Sequence, residues 1–191
     1  NFPDLGAWSR YRVTASVSNN VATIKVDSSN EGYLERANIP KTAGHKYMAT
    51  FDARVVLNPS NSSWVFRSYY NGTSSQLVIY LPTNENKWTQ YGGVFAPNTS
   101  STGYSPYRFA CTDSTAQAEL EIRNCMLIDL TQIFGSTIAD YIYNLEQGTA
   151  GAGVAFFRKY FPKPYYPYDA GTIKSVEGVS AHKTVGFNQW D

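Results

Sequence analysis

The stretch Trp64-Val65-Phe66-Arg67-Ser68-Tyr69-Tyr70-Asn71 places flat aromatic rings beside a guanidinium and a side-chain amide. That mix suits noncovalent recognition of a sugar. A sugar ring presents an apolar C–H face, which aromatic rings cover, and a rim of hydroxyls, which planar polar groups such as Arg and Asn can bond. Alternation along a strand sends Trp64, Phe66, Ser68 and Tyr70 to one side, and Val65, Arg67 and Tyr69 to the other. One set must be core. If Phe66 is core, so are Trp64 and Tyr70, and Arg67 with Tyr69 is exposed. If it is not, Trp64 and Tyr70 form the platform. The segment Trp88-Thr89-Gln90-Tyr91 poses the same choice, with Trp88 read as core. Tyr104, Tyr107 and Arg108 lie on another strand that could line the same face. The candidate glycan-binding residues are therefore Trp64, Arg67, Tyr69, Tyr70, Tyr91 and Arg108, each aromatic among them being equally readable as core.

Covalent chemistry has less to work with. No nucleophile motif, phosphate loop, dinucleotide fingerprint or zinc spacing occurs. The two histidines, His45 and His182, stand far apart in sequence, and His45 reads as a surface residue at a strand entrance. Glycoside hydrolysis needs two carboxylates facing a common bond, roughly 5–9.5 Å apart. Glu119 and Glu121 share a strand face at about 7 Å by the strand rise. With Arg123 on the same outward face they read as an ordinary solvated face, so no catalytic residue is assigned and the chain is read as a non-enzyme.

These side chains need strands to position them. From His45 to Val56 the alternation is clean: Tyr47, Ala49, Phe51, Ala53 and Val55 on one face, Met48, Thr50, Asp52 and Arg54 on the other, as in a half-buried strand. Further strands are expected over 9–17, 21–27, 64–70, 76–81, 88–96, 104–111 and 117–128. Clusters such as Asn58-Pro59-Ser60-Asn61 and Asn84-Glu85-Asn86 mark turns between them. Many short strands with such punctuation predict an all-β, antiparallel sandwich over residues 1–129. After Asp129 the pattern changes. Ile138, Tyr141, Ile142 and Leu145 have helical spacing behind Thr137 and before Gly148, and a second helix over 149–161 must stop before Pro162. The run Pro162-Lys163-Pro164-Tyr165-Tyr166-Pro167-Tyr168 should be extended. Residues 130–191 read as a helical and extended connector, too apolar for a free linker.

The chain has 16 basic and 15 acidic residues, so it lacks the basic footprint of a nucleic-acid partner. No apolar run approaches the ~20 residues of a spanning helix. The fifteen tyrosines suit a wet binding surface. Three Asn-x-Ser/Thr sequons, at Asn61, Asn71 and Asn98, fall in expected loops. Cys111 and Cys125 are expected to be reduced: in a hairpin of 104–111 with 117–125 they would sit several residues apart along the ladder. With no initiator Met and an abrupt close at Gln189-Trp190-Asp191, the chain reads as a piece of a longer protein.

The strand Gly44-His45-Lys46-Tyr47-Met48-Ala49-Thr50-Phe51-Asp52-Ala53-Arg54, the pattern Trp88-x-x-Tyr91-x-x-x-Phe95 and the closing strand Ala118 to Asp129 resemble carbohydrate-binding modules of the family-4/9-like jelly-roll type. The stretch Met126 to Gly135, then Phe161-Pro162, Tyr165-Tyr166-x-Tyr168-x-x-Gly171 and Gly186-Phe187-Asn188-Gln189-Trp190-Asp191, resembles segments following such modules in phage and prophage tail-fibre and baseplate proteins. The resemblance implies a non-catalytic binder of bacterial surface polysaccharide, within a homotrimeric virion protein that touches neighbouring virion subunits, in a phage tail or the extracellular space. A structural linker of a virion fibre, or a module appended to a secreted polysaccharide-degrading enzyme, is the alternative. Such jelly rolls often hold a structural calcium near the sandwich termini, where Asp129 stands.

Overall fold

The computed structural model describes residues 5–26, 31–37, 39–58, 63–70, 74–81, 86–98, 106–112 and 117–164. Ten strands form two antiparallel sheets. The strands are β1 (Ser9–Tyr11), β2 (Val13–Ser18), β3 (Val21–Val26), β4 (Gly32–Arg36), β5 (Tyr47–Leu57), β6 (Ser63–Tyr70), β7 (Ser74–Leu81), β8 (Thr89–Phe95), β9 (Tyr107–Thr112) and β10 (Ala118–Asp129). The first sheet has the order β1-β4-β9-β6-β7 and the second β2-β3-β10-β5-β8. The all-β sandwich expected from the turn spacing is what forms.

The expected strand over 9–17 is two strands. Arg12 adopts a left-handed backbone (φ 52°), and the chain changes sheets there. Strand β4 had no counterpart in the sequence reading. Strands β9 and β10 are not a hairpin, because they belong to opposite sheets. Cys111 and Cys125 are free thiols; Cys111 is buried, and Cys125 sits in a bulge of β10 where Asn124 and Cys125 oppose Phe51 alone.

The inward faces bury one cluster. Phe51, Phe66 and Phe109 meet with centroids 4.9–5.0 Å apart, and Ile24, Leu120, Ile122 and Trp64 pack around them. Tyr47, Ala49, Phe51, Ala53 and Val55 all face this core, as the period-two pattern requires. The opposite face of β5 is not solvated as a half-buried strand would be: Met48, Thr50 and Asp52 are buried too.

Two helices partly explain this. Helix α1 (Leu130–Gly148) follows β10 directly, and α2 (Ala152–Tyr160) turns back beside it. Asp129 caps α1 by accepting from the Gln132 backbone N–H at 2.9 Å. Gly135 (φ 78°) breaks the helical path within α1. Leu130, Phe134, Ile142, Val154, Phe157 and Phe161 bury against Met48, Val94 and Ile128 of the second sheet. Residues 130–161 thus pack on their own sandwich. Gly92 allows this close approach, since a Cβ there would lie 2.8 Å from Thr50 Cγ2 and 3.3 Å from Val154 Cγ1. Polar ties add to the apolar contact: Lys46 N–H donates to Thr131 Oγ1 (2.8 Å), and Arg158 Nη2 donates to Thr50 Oγ1 (3.1 Å). Residues 165–191, including the expected polyproline run beyond Pro164 and His182, lie outside the described residues. Among the described residues no helix is long and apolar enough to cross a membrane.

Candidate functional site

The outer face of the first sheet brings together aromatic and planar polar side chains from all five of its strands. Register fixes which ones. One row across the sheet runs Tyr11, Tyr33, Ala110, Val65, Tyr80; the next runs Ser9, Glu35, Arg108, Arg67, Val78. A five-strand row spans roughly 19 Å at the usual strand spacing.

Arg67 and Arg108 are direct cross-strand partners, an arrangement that like charges ordinarily oppose. Two glutamates offset it. Arg108 donates from Nε (3.0 Å) and Nη2 (2.8 Å) to Glu35 Oε2, and Arg67 Nη1 lies 3.6 Å from Glu31 Oε1. Aromatic faces hold the same guanidinium: Arg108 sits 3.8 Å above the Tyr33 ring and 4.7 Å from that of Tyr69. The Tyr69 hydroxyl accepts from Arg67 Nη1 (3.2 Å) and Arg108 Nη1 (3.5 Å). Burial raises the pKa of Tyr33, against the lowering effect of Arg108. Tyr11 stacks on Tyr33 with centroids 4.9 Å apart. At the rims, Tyr11 is 43% exposed and Tyr80 69% exposed.

Behind this face, Lys41 is buried and donates from Nζ to the Tyr69 carbonyl at 2.8 Å. The Tyr69 N–H donates to Pro106 O at 2.9 Å. Both backbone groups of Tyr69 are thereby fixed, which steadies its ring beside the two arginines.

Of the residues expected from sequence, the structure brings together Arg67, Tyr69 and Arg108. It resolves the choice at β6 in favour of a Phe66 core, but Tyr69 is not exposed beside Arg67 as expected: it is buried (7% exposed), and the strand register is irregular between Ser68 and Tyr69. Trp64 is fully buried (0% exposed), with its indole N–H 3.4 Å from the Leu57 carbonyl, so it is not a platform. Tyr91 belongs to the second sheet and faces inward, with its ring 5.7 Å from Phe51; it is remote in topology from the arginines. Tyr107 also faces the core. Tyr70 lies at the end of β6, its side chain outside what is described; Tyr104 is outside the described residues altogether. Tyr11, Tyr33, Glu35 and Tyr80 were missed. The signal for Tyr33 and Glu35 was the alternation in Gly32-Tyr33-Leu34-Glu35-Arg36, too short to stand out.

Trp88 is not core either. It is half-exposed on the outer face of the second sheet, 4.1 Å from the Arg123 guanidinium and 5.2 Å from that of Arg54. Glu119 and Glu121 lie on that face as well. Glu119 pairs with Lys25 (3.2 Å), and Glu121 accepts from Arg54 Nε (2.8 Å), so each carboxylate is held by a cation. Asp129 does not suit calcium. One oxygen caps α1 and the other is 2.8 Å from His45 Nδ1, while no three His, Cys, Asp or Glu converge among the described residues. Asn98 is exposed, whereas Asn61 and Asn71 are outside the described residues.

No family model matches the chain, and no curated protein matches it in sequence. Solved structures do match. One described as "CBM4 structure and function" superposes with a TM-score of 0.55 at 12% identity, covering 64% of this chain and 94% of that one. An arabinose-bound MgGH51 α-L-arabinofuranosidase gives 0.51 at 19% identity, over 65% of this chain and 23% of that one. The N-terminal cellulose-binding domain of Cellulomonas fimi β-1,4-glucanase C gives 0.50 at 11% identity, over 64% of this chain and 88% of that one. At these identities the likeness is one of fold: the sandwich has the jelly-roll architecture of carbohydrate-binding modules.

Proposed function

We propose that this chain is a non-catalytic glycan-binding module, and that the glycan lies on the outer face of the first sheet. The observation that carries this is the row of aromatics beside the Arg67–Arg108–Tyr69 cluster. Tyr11 and Tyr80 offer apolar faces at its two ends, and between them the partly exposed Arg67 guanidinium, held by the buried Tyr69 hydroxyl, matches a rim of sugar hydroxyls. The guanidiniums are already neutralised by Glu31 and Glu35, which favours a neutral or weakly charged saccharide over a polyanion. Two of the similar folds are named for carbohydrate or cellulose binding, which supports the same reading.

The finer setting we propose is a phage tail or other surface-attachment protein recognising host polysaccharide. It rests on the resemblance of the chain from Met126 onward, much of which lies in residues 165–191. A second reading has its own observation. Tyr141 and Tyr160 are exposed on the helices and flank Phe156, at centroid distances of 5.1 and 5.2 Å. Such an aromatic patch suits a structural module that docks on neighbouring chains.

Affinity electrophoresis and a glycan array with the purified chain test the first reading. Saturable binding that is lost in Tyr80→Ala and Arg67→Ala supports it. Absence of binding to every bacterial and plant polysaccharide, with trimers in light scattering, supports the second.

A further inference from the structure

The edge strand of a sheet presents a row of unpaired backbone N–H and C=O groups, which proteins ordinarily protect with charge, proline, shortness or a covering element. Three of the four sheet edges here are blunted. Strand β1 is three residues long and carries Arg10, with Arg12 just beyond it. Strand β2 turns only the small polar Thr14, Ser16 and Ser18 to solvent. Helices α1 and α2 lie against β8, with Val154 close to Gly92 and Val94 in their shared cluster. Strand β7 has none of these devices. It ends the first sheet beyond β6, spans eight residues, and holds no charged residue and no proline from Ser74 to Leu81. Among the described residues its ladder runs to β6 alone, and no turn or loop backbone group bonds to it. Its side chains are left short of neighbours as well. Val78 and Tyr80 are 39% and 69% exposed, and Leu77 and Ile79 pack on the core while staying only partly buried.

We propose that β7 is the interface to a second copy of this chain, the two strands pairing antiparallel about a two-fold axis at Val78. A two-fold contact must be self-complementary, and β7 is so about that residue. Val78 stands opposite Val78 of the second copy. Leu77 stands opposite Ile79 of the second copy, and Ile79 opposite its Leu77, so apolar meets apolar on the inner face too. Like charges directly opposite each other would oppose such pairing, and this strand has no charge to repel its own copy. A partner of different sequence would need no such symmetry. The two five-stranded sheets become one continuous sheet, with the outer faces of both copies side by side. The pairing stands whether or not that face binds a glycan.

Sedimentation equilibrium of the whole chain tests this. Wild type is expected to show a concentration-dependent equilibrium between monomer and dimer. Val78→Lys sets two ammonium groups face to face on the axis, and is expected to abolish the dimer while keeping the wild-type far-ultraviolet spectrum. A second readout stands even if that variant fails to fold. Antiparallel partners lie ~4.5–5.5 Å apart at Cα, within disulfide reach. Val78→Cys should therefore give a covalent dimer under mild oxidation, whereas Leu57→Cys, at a 45% exposed position of the second sheet, should not. A wild type that stays monomeric at every concentration overturns the proposal, as do dimers unchanged in Val78→Lys or equal cross-linking of the two cysteine variants. A trimer also overturns it, because pairing about a two-fold axis closes at two copies.

Discussion

The Arg108 guanidinium lies 3.8 Å above the Tyr33 ring while giving two hydrogen bonds to one oxygen of Glu35. Two residues of the neighbouring strand β4 thus fix its plane before any ligand arrives. A donor held in this way loses little conformational freedom on binding, which favours affinity.

Removing Arg108 should be costly for stability as well as binding. The Arg108 and Glu35 side chains are 12% and 7% exposed, so Arg108→Ala leaves a nearly buried carboxylate without its cation. The expected loss is roughly 3–5 kcal/mol in a urea melt. The double variant Arg108→Met/Glu35→Leu should recover most of the stability and none of the glycan binding. A double variant as unstable as the single one would contradict this account.

Trp64 and Tyr80 should behave in opposite ways. Trp64→Ala opens a hole in the core and is expected to cost about 3–5 kcal/mol. Tyr80→Ala, at an exposed position, should change stability by no more than about 0.5 kcal/mol and weaken glycan retention. Paired thermal melts and affinity gels separate the two effects.

Lys41 predicts a pH dependence. Burial lowers its pKa from the usual 10.5 to about 8. Between these values the unfolded chain keeps a proton that the folded chain has released. The contribution of this group to stability therefore rises with pH across that window and is lost as pH falls through 8. The stability difference between wild type and Lys41→Met should tilt towards wild type from pH 8 to 10.5. A difference that is flat over this range would show that Lys41 titrates normally.

Gly92 should resist enlargement. A Cβ there would meet Thr50 Cγ2 and, at 2.9 Å, the Ala49 carbonyl. Gly92→Ala is expected to destabilise the chain by roughly 1–3 kcal/mol through overpacking. Hydrogen exchange should report the loss first in α2, whose Val154 packs at this point. Uniform loosening of both sheets with α2 unaffected would contradict the packing described.

Much of the frame was legible without coordinates. The alternation from Tyr47 to Val55 identified the core face of β5, because period two admits only one partition of those side chains. The pattern changes after Asp129, where β10 gives way to α1, although the helical spacing read from the sequence began only behind Thr137. Arg67, Tyr69 and Arg108 were recognisable as candidates by residue type alone.

What alternation cannot supply is which of its two faces meets the opposite sheet, or which strands become neighbours. Trp64 and Arg67 are equally good outward residues until β6 packs against β5 and places Phe66 on Phe51. Glu35 joins the site only because β4 pairs with β9, more than seventy residues away in sequence, and Arg12 moves β1 into that sheet and leaves β2 in the other. Met48, flagged as the polar side of β5, is buried because helices formed later in the chain cover it. By itself the sequence determined the sandwich, its inward-facing strand residues and the chemical types available for recognition, since local periodicity and composition encode these directly. Tertiary structure alone decided which aromatics are core and which face solvent, because that depends on strand pairing and layer packing between residues distant along the chain.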